Sequence, residues 1–157
     1  MMGVCLRYCS NYETARDMVQ DGFIKVFTKI KDFKGESSIQ TWMTRIFINT
    51  CLSHINKQEN KSIYLDINDP NVQYTTENSF VNEAQVENSI KKLPVNAVLE
   101  YINQLPEKYK IVLNMYSIDG YSHQQIAETL DIQVGSSKSR LSRARQLLID
   151  LIKEKES

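Results

Sequence analysis

The chain has 157 residues, room for one ordinary domain or two small ones. Lysine plus arginine equals aspartate plus glutamate at 19 each, which excludes a globally basic nucleic-acid binder and leaves only a local electrostatic footprint for DNA. With 41% apolar and 24% charged residues the composition is globular, few Gly and Pro favour helices over a turn-rich β fold, and the short apolar runs exclude a transmembrane helix.

At the front, Met1 to Arg7 lack the long apolar core and small-residue cleavage site of a signal peptide. The three cysteines form no disulfide framework, and a reducing cytoplasm is the expected location. Cys5 and Cys9, then Cys51 and His54, are spaced irregularly for zinc, each pair standing close to one helical turn apart. Small buried thiols in helix cores are expected there, with no metal site and no cofactor.

The first long helix is expected to start at Ser10, with Glu13 three residues on as its capping-box partner. Ala15, Met18, Val19, Phe23, Val26, Phe27 and Ile30 follow a 3.6-residue period and are predicted to face inward. Asp17, Gln20, Asp21 and Ile24 share the opposite face at i, i+3, i+4 and i+7. This face reads as either a protein-docking surface or a solvated face with a stray isoleucine. A loop, Phe33-Lys34-Gly35-Glu36-Ser37-Ser38, then supplies serines to cap a second long helix from about Ile39. The single tryptophan, Trp42, is predicted to anchor the core, whereas Asn49 is a poor helix-interior residue and needs another reason to be there.

From residue 59 to about 94 the chain turns polar and acidic, with Asp66, Asp69, Glu77, Glu83 and Glu87, an Asp-Pro at 69–70, and no sustained period. It reads as a linker carrying a short helix near Phe80 to Ile90. Helical patterning resumes at 95. Ser122-His123-Gln124-Gln125 is a capping box opening a helix through Ile126, Ala127 and Leu130. Asp131 sits where a left-handed turn is wanted, and a further helix from about Gly135-Ser136-Ser137 carries Leu141, Ala144, Leu148 and Leu151 inward. Two helices joined this way make a helix-turn-helix.

The second of them suits DNA. Lys138, Arg140, Arg143 and Arg145 place four cations within eight residues without an intervening carboxylate. Lys138, Ser139, Ser142 and Arg143 share a face for bases, and Ser136 and Ser137 are expected to be exposed at the helix start, where free N–H groups suit a phosphate. His123 is expected to be a surface residue of the capping turn.

Taken together, these segments resemble a known family. Glu13 through Lys34 resembles the polymerase-binding segment of sigma factors of the extracytoplasmic-function (ECF) type, and Thr41 through Thr50 resembles the promoter-melting helix that follows it. Leu105-Pro106-Glu107-Lys108-Tyr109, Gly120-Tyr121-Ser122 through Ala127, and Val134 through Arg145 resemble the region that reads the −35 element.

The resemblance implies an all-α chain in three parts. Residues 1–58 would be a region 2-like domain, N-terminally short compared with most members; 59–94 a polar linker; and 95–157 a region 4-like helix-turn-helix domain. Asp17, Gln20, Asp21 and Ile24 would dock on the clamp helices of core RNA polymerase. Phe33, Lys34, Gly35, Ser37, Ser38, Gln40, Ile46 and Asn49 would capture a flipped base of the −10 element, a task that needs a snug pocket with groups for the base edge. Lys138, Ser139, Ser142 and Arg143 would read the −35 groove, with Ser136, Ser137 and Arg140 on the backbone. An anti-sigma factor is an expected further partner, and no small-molecule substrate is implied.

Two other classes remain. A helix-turn-helix regulator that is not a polymerase subunit would normally dimerise to read palindromes, yet no heptad seam is evident. An enzyme would need clustered carboxylates or a nucleophile with its base, and two histidines among scattered acids supply neither.

Overall fold

The computed structural model describes residues 1–59 and 81–157, in two compact units, Met1–Ser62 and Ile63–Ser157. All regular structure among the described residues is helical. The chain elements Asp66, Asp69, Pro70 and Glu77 of the acidic stretch lie outside the described residues.

The first unit packs three helices: α1 (Met2–Tyr8), α2 (Tyr12–Lys29) and α3 (Ile39–Glu59). Helix α2 is capped one residue later than its sequence suggests. Asn11, in extended backbone, accepts a 2.8 Å hydrogen bond from the Thr14 N–H, so neither Ser10 nor a Glu13 capping box opens it. Asparagine caps as well as serine, and placing it at the cap leaves Glu13 in the first turn, where the helix dipole favours an acid. Ser38 caps α3 as expected, its hydroxyl accepting from the Thr41 N–H at 3.1 Å.

Helices α2 and α3 meet at Gly22. A Cβ built there would lie 2.5 Å from the ring of Phe47, which is fully buried, so only glycine permits this crossing. Ala15, Met18 and Val26 are buried as the period predicts, and Phe23 meets Phe47 edge-on at 5.1 Å. Lys25 donates to the buried Thr50 hydroxyl at 3.1 Å and ties the two helices once more.

The inward stripe of α2 stops short, however. Phe27 is 74% exposed and Ile30 42%, contrary to their predicted burial. The side of α2 that packs carries Ala15, Met18, Gly22 and Val26; Phe27 stands about 120° round the helix from Ala15, and Phe23, at 36% exposure, marks the edge of the covered side.

In the second unit, α4 (Glu83–Ile90), α5 (Val95–Asn103), α6 (Glu107–Leu113) and α7 (His123–Leu130) all pack against one long helix, α8 (Val134–Glu156). The short helix expected near Phe80 to Ile90 is α4, opened by a reciprocal Asn82–Gln85 capping box. Pro106 starts α6 with its ring in the cap position, where a missing N–H costs nothing, and Glu107 in the first turn pairs with the buried Lys110 at 3.0 Å. After α6 the chain widens into a single i→i+5 turn, Asn114–Ile118, closed by the Asp119 N–H on the Asn114 carbonyl at 3.0 Å.

The helix-turn-helix forms as its sequence predicts. Ser122 and Gln125 bond reciprocally at 3.1 and 3.0 Å. Asp131 adopts φ 53° and ψ 48°, and the Ile132 N–H reaches back to the Ala127 carbonyl at 3.0 Å, closing a Schellman-type end. Leu141, Ala144 and Leu148 of α8 are buried with Ile126 and Leu130 of α7, each large aliphatic contributing about 1.5–3 kcal/mol.

Candidate functional site

Three faces carry the residues singled out above. On α2, Asp17, Gln20 and Asp21 are exposed, and Ile24 is 64% exposed. One turn beyond Ile24 lies the exposed Phe27, which stacks on Phe23 at 6.4 Å. The face is therefore acidic and amide at one end and apolar at the other. Its apolar character assigns Phe27 to the core, but its angle, about 120° round α2 from Ala15, sets it beside Gln20 and Ile24 instead.

The second face joins the 33–38 loop to α3. Gly35 takes φ 72°, a left-handed conformation that glycine adopts without strain and that turns the chain towards the α3 cap. Lys34, Gly35, Ser37, Ser38, Gln40 and Asn49 are exposed, and Phe33 and Ile46 are half-buried. Phe33 packs on Trp42 with ring centroids 5.2 Å apart and planes tilted by 49°.

Trp42 is thus half-buried beside the loop instead of sealed in the core, which corrects its expected role. Trp42, Ile46 and Asn49 stand at i, i+4 and i+7, so an aromatic plate, an aliphatic side chain and an amide lie along one side of α3. Asn49 is on the surface, where its poor helix propensity has no packing return.

The third face is the start of α8. Lys138 and Arg143 are exposed, and Ser136, Ser139 and Ser142 are half-exposed. Ser139 back-bonds to the Gly135 carbonyl at 3.0 Å, which leaves its oxygen free to accept. Two predicted contacts do not belong to this surface. Ser137 is 0% exposed and Arg140 only 3%. Both are buried, Ser137 against His123 of α7, so their polarity suggested an outward face that the tertiary packing turned inward.

His123 is also more engaged than a surface capping residue. Its Nδ1 lies 2.9 Å from the Ser137 hydroxyl, and its ring stacks on Tyr116 at 4.6 Å. Burial, then the charges of Lys138 and Arg145, hold its pKa below the ordinary value.

The cysteines are buried, as their spacing predicts. Cys9 and Cys51 sulfurs are 3.9 Å apart, and a hydrogen bond from Cys51 pulls the Cys5 thiol pKa down while raising that of Cys51. Among the described residues no group of three or more His, Cys, Asp or Glu side chains is arranged to hold a metal ion, and no helix is long and apolar enough to cross a membrane.

Comparison with known proteins gives these faces a common context. The Sigma-70 region 2 family matches residues 1–61, and the Sigma-70 region 4 family matches residues 96–148. The chain is 30% identical to the ECF RNA polymerase sigma-E factor of Haemophilus influenzae over 148 residues, covering 93% of this chain and 78% of that one. It is 31% identical to the ECF RNA polymerase sigma factor SigW of Bacillus subtilis over 148 residues, covering 92% and 79% respectively. Among solved structures, the sigma factor RpoE of Bartonella quintana, in complex with the anti-sigma factor NepR, shares the fold. The TM-score is 0.63 at 24% identity, over 97% of this chain and 89% of that one.

Both halves are thus of the sigma-70 class, region 2 ahead of region 4. The chain belongs to the ECF sigma factors. It is a transcription initiation factor that binds core RNA polymerase and promoter DNA and confers promoter-specific initiation. A helix-turn-helix regulator acting outside the polymerase is not favoured.

Proposed function

We propose that residues 1–58 grip the polymerase and open the −10 element, that 95–157 read the −35 element, and that 59–94 link them. Polymerase would dock on Asp17, Gln20, Asp21 and Ile24, extended by Phe27. An apolar patch beside charged groups gives both affinity and register to such a contact. A base flipped from the −10 element would enter between the Phe33–Gln40 segment and the Trp42, Ile46, Asn49 side of α3. There the aromatic pair offers stacking, and Asn49 offers a donor and an acceptor to the base edge.

Lys138, Ser139, Ser142 and Arg143 would face the −35 major groove, with Ser136 on the phosphate backbone. Ser137 and Arg140 are left out of that contact because both are buried. The chain would act by recognition, in the cytoplasm, with polymerase supplying the chemistry. An anti-sigma partner is supported by the fold it shares with RpoE, solved in complex with NepR.

The observation that carries this reading is the exposed, carboxylate-free cationic start of α8 in a chain that also presents the mixed α2 face. Because few phosphates are neutralised, the isolated protein should bind promoters weakly and gain strength when polymerase presents both units together. Run-off transcription with core polymerase on fragmented genomic DNA of the source organism tests it. Defined start sites should appear with the wild type and be lost or weakened with Lys138→Ala and Asn49→Ala. Tight sequence-specific binding by the isolated chain at physiological salt would overturn it.

A further inference from the structure

A small aromatic and polar cluster inside the helix-turn-helix lies off the face that meets DNA, yet it touches α8 at two points. The first is the 2.9 Å contact between His123 Nδ1 and the hydroxyl of Ser137, in the opening turn of α8. The second lies two turns further along α8, where the Arg145 guanidinium sits 5.7 Å from the centre of the Tyr116 ring. His123 and Tyr116 are themselves stacked at 4.6 Å with planes within 23°, so the two contacts are joined through one ring pair. His123 begins α7 and Tyr116 belongs to the i→i+5 turn before it. The pair therefore connects the scaffold that precedes the recognition helix to two separated sites on that helix.

A side contact at one point opposes roll but leaves the helix free to pivot about that point; two contacts two turns apart hold both its roll and its tilt. Roll matters here because Lys138, Ser139, Ser142 and Arg143 extend from α8 towards the groove. A rotation of about 20° at a radius of about 6 Å moves a side-chain base by about 2 Å, enough to break a hydrogen bond to a base edge. We propose that His123 is a positioning residue for −35 reading: through Ser137 and Tyr116 it sets the roll of the recognition helix without touching DNA itself. The inference rests on α8 being the −35 reader.

The neighbours of His123 favour a neutral imidazole in this setting. The charged groups facing His123 are Lys138 and Arg145, both from α8, and the Tyr116 phenol stacks on it from the turn. An imidazolium would be repelled by both cations and would compete with Arg145 for the face of Tyr116. Its lowered pKa, caused first by burial and then by those two cations, keeps it neutral at pH 7. Acidification should therefore loosen the setting of α8 and blunt discrimination.

The experiment uses holoenzyme, formed from the full chain and core polymerase, on a promoter found by run-off mapping and on a version with its −35 element scrambled. The readout is the ratio of transcripts from the two. His123→Phe keeps a stacking ring and removes the contact to Ser137, Ser137→Ala removes it from the other side, and His123→Asn restores a hydrogen-bonding group near the Nδ1 position. The ratio should fall about fivefold in His123→Phe and in Ser137→Ala, fall no further in the double variant, and recover in part in His123→Asn. In the wild type it should decline between pH 7.5 and 6, while His123→Asn stays flat.

A role confined to stability would lower the melting temperature and the active fraction but leave the ratio and its pH profile unchanged, and that result overturns the proposal. Additive losses in the double variant overturn it equally. Lys138→Ala separates the two levels of inference. If that change leaves the ratio intact, the reading of α8 itself has failed. If it collapses the ratio while His123→Phe does not, only the positioning role has failed.

Discussion

Helices α2 and α8 depart from their sequence patterns in opposite directions. At the end of α2 and just past it, Phe27 and Ile30 are predicted in the core yet stand in solvent; on α8, Ser137 and Arg140 have the chemistry of a DNA-facing surface yet are buried. Both departures have one cause. Periodicity ranks the faces of a helix by polarity, but the number of neighbours decides how much of the circumference is covered. α2 packs on α1 and α3 through Ala15, Met18, Gly22 and Val26 and leaves the flank that carries Phe27 bare, whereas α8 receives four helices and buries polar positions along with apolar ones. On the proposed reading, the residue offered to a partner is thus an apolar one on α2, and the polar residue that organises α8 is an inward one.

The strongest way to break this contrast is at Arg140. Arg140→Ala should cost about 2–4 kcal/mol in the unfolding free energy of the second unit, because it empties a packed position and strips a buried charge from its surroundings. Lys138→Ala, only two residues away but exposed, should change stability by less than about 0.5 kcal/mol. Chemical denaturation of the two variants side by side measures this, and equal effects would mean that Arg140 is not buried in solution.

Next in size is Gly22→Ala. The new methyl would meet the Phe47 ring at 2.5 Å, and the ring is confined by the core, so the first unit should lose about 1–3 kcal/mol. Phe27→Ser sharpens the other half of the comparison. With 74% of its surface in water it should alter thermal stability little, yet weaken binding to core polymerase about tenfold. A titration of labelled protein with core enzyme checks this. Loss of stability without loss of affinity would return Phe27 to a structural role.

A smaller effect is expected at the cap of α7. Ser122→Ala removes the acceptor for the Gln125 N–H and should cost about 1 kcal/mol, whereas Ser10→Ala should be silent because Asn11 is the cap of α2. That pair also marks how far the sequence was legible. Signals confined to a few adjacent residues were read correctly: the Ser122–Gln125 box, the left-handed Asp131, the Ser38 cap and the helix near residues 83–90 all formed.

Choosing between two good caps one position apart failed at Ser10, since serine and asparagine are equivalent until the entering chain is placed. Residues whose role depends on a distant neighbour were out of reach altogether. Nothing near His123 in sequence announces Ser137 or Tyr116, and the single tryptophan looked like a core anchor because its partner, Phe33, belongs to a loop.

The least of the expected effects is the dependence of stability on pH through His123. Its folded pKa lies below the ordinary value of 6.5, owing to burial first and the charges of Lys138 and Arg145 second. The unfolded chain therefore takes up a proton near pH 6.5 while the folded chain still resists it, and over that window the unfolded state holds more protons. Stability must then rise with pH there, so the contribution of neutral His123 is fully present above pH 6.5 and is lost as the pH falls towards the folded value. Because the ring is only partly buried, the change should be modest. It is best seen as a difference: between pH 7.5 and 6 the melting temperature of the wild type should drop more than that of His123→Asn. Parallel curves would show that the imidazole is no less basic in the folded chain, which would leave its contact with Ser137 intact but remove any acid sensitivity from the recognition helix.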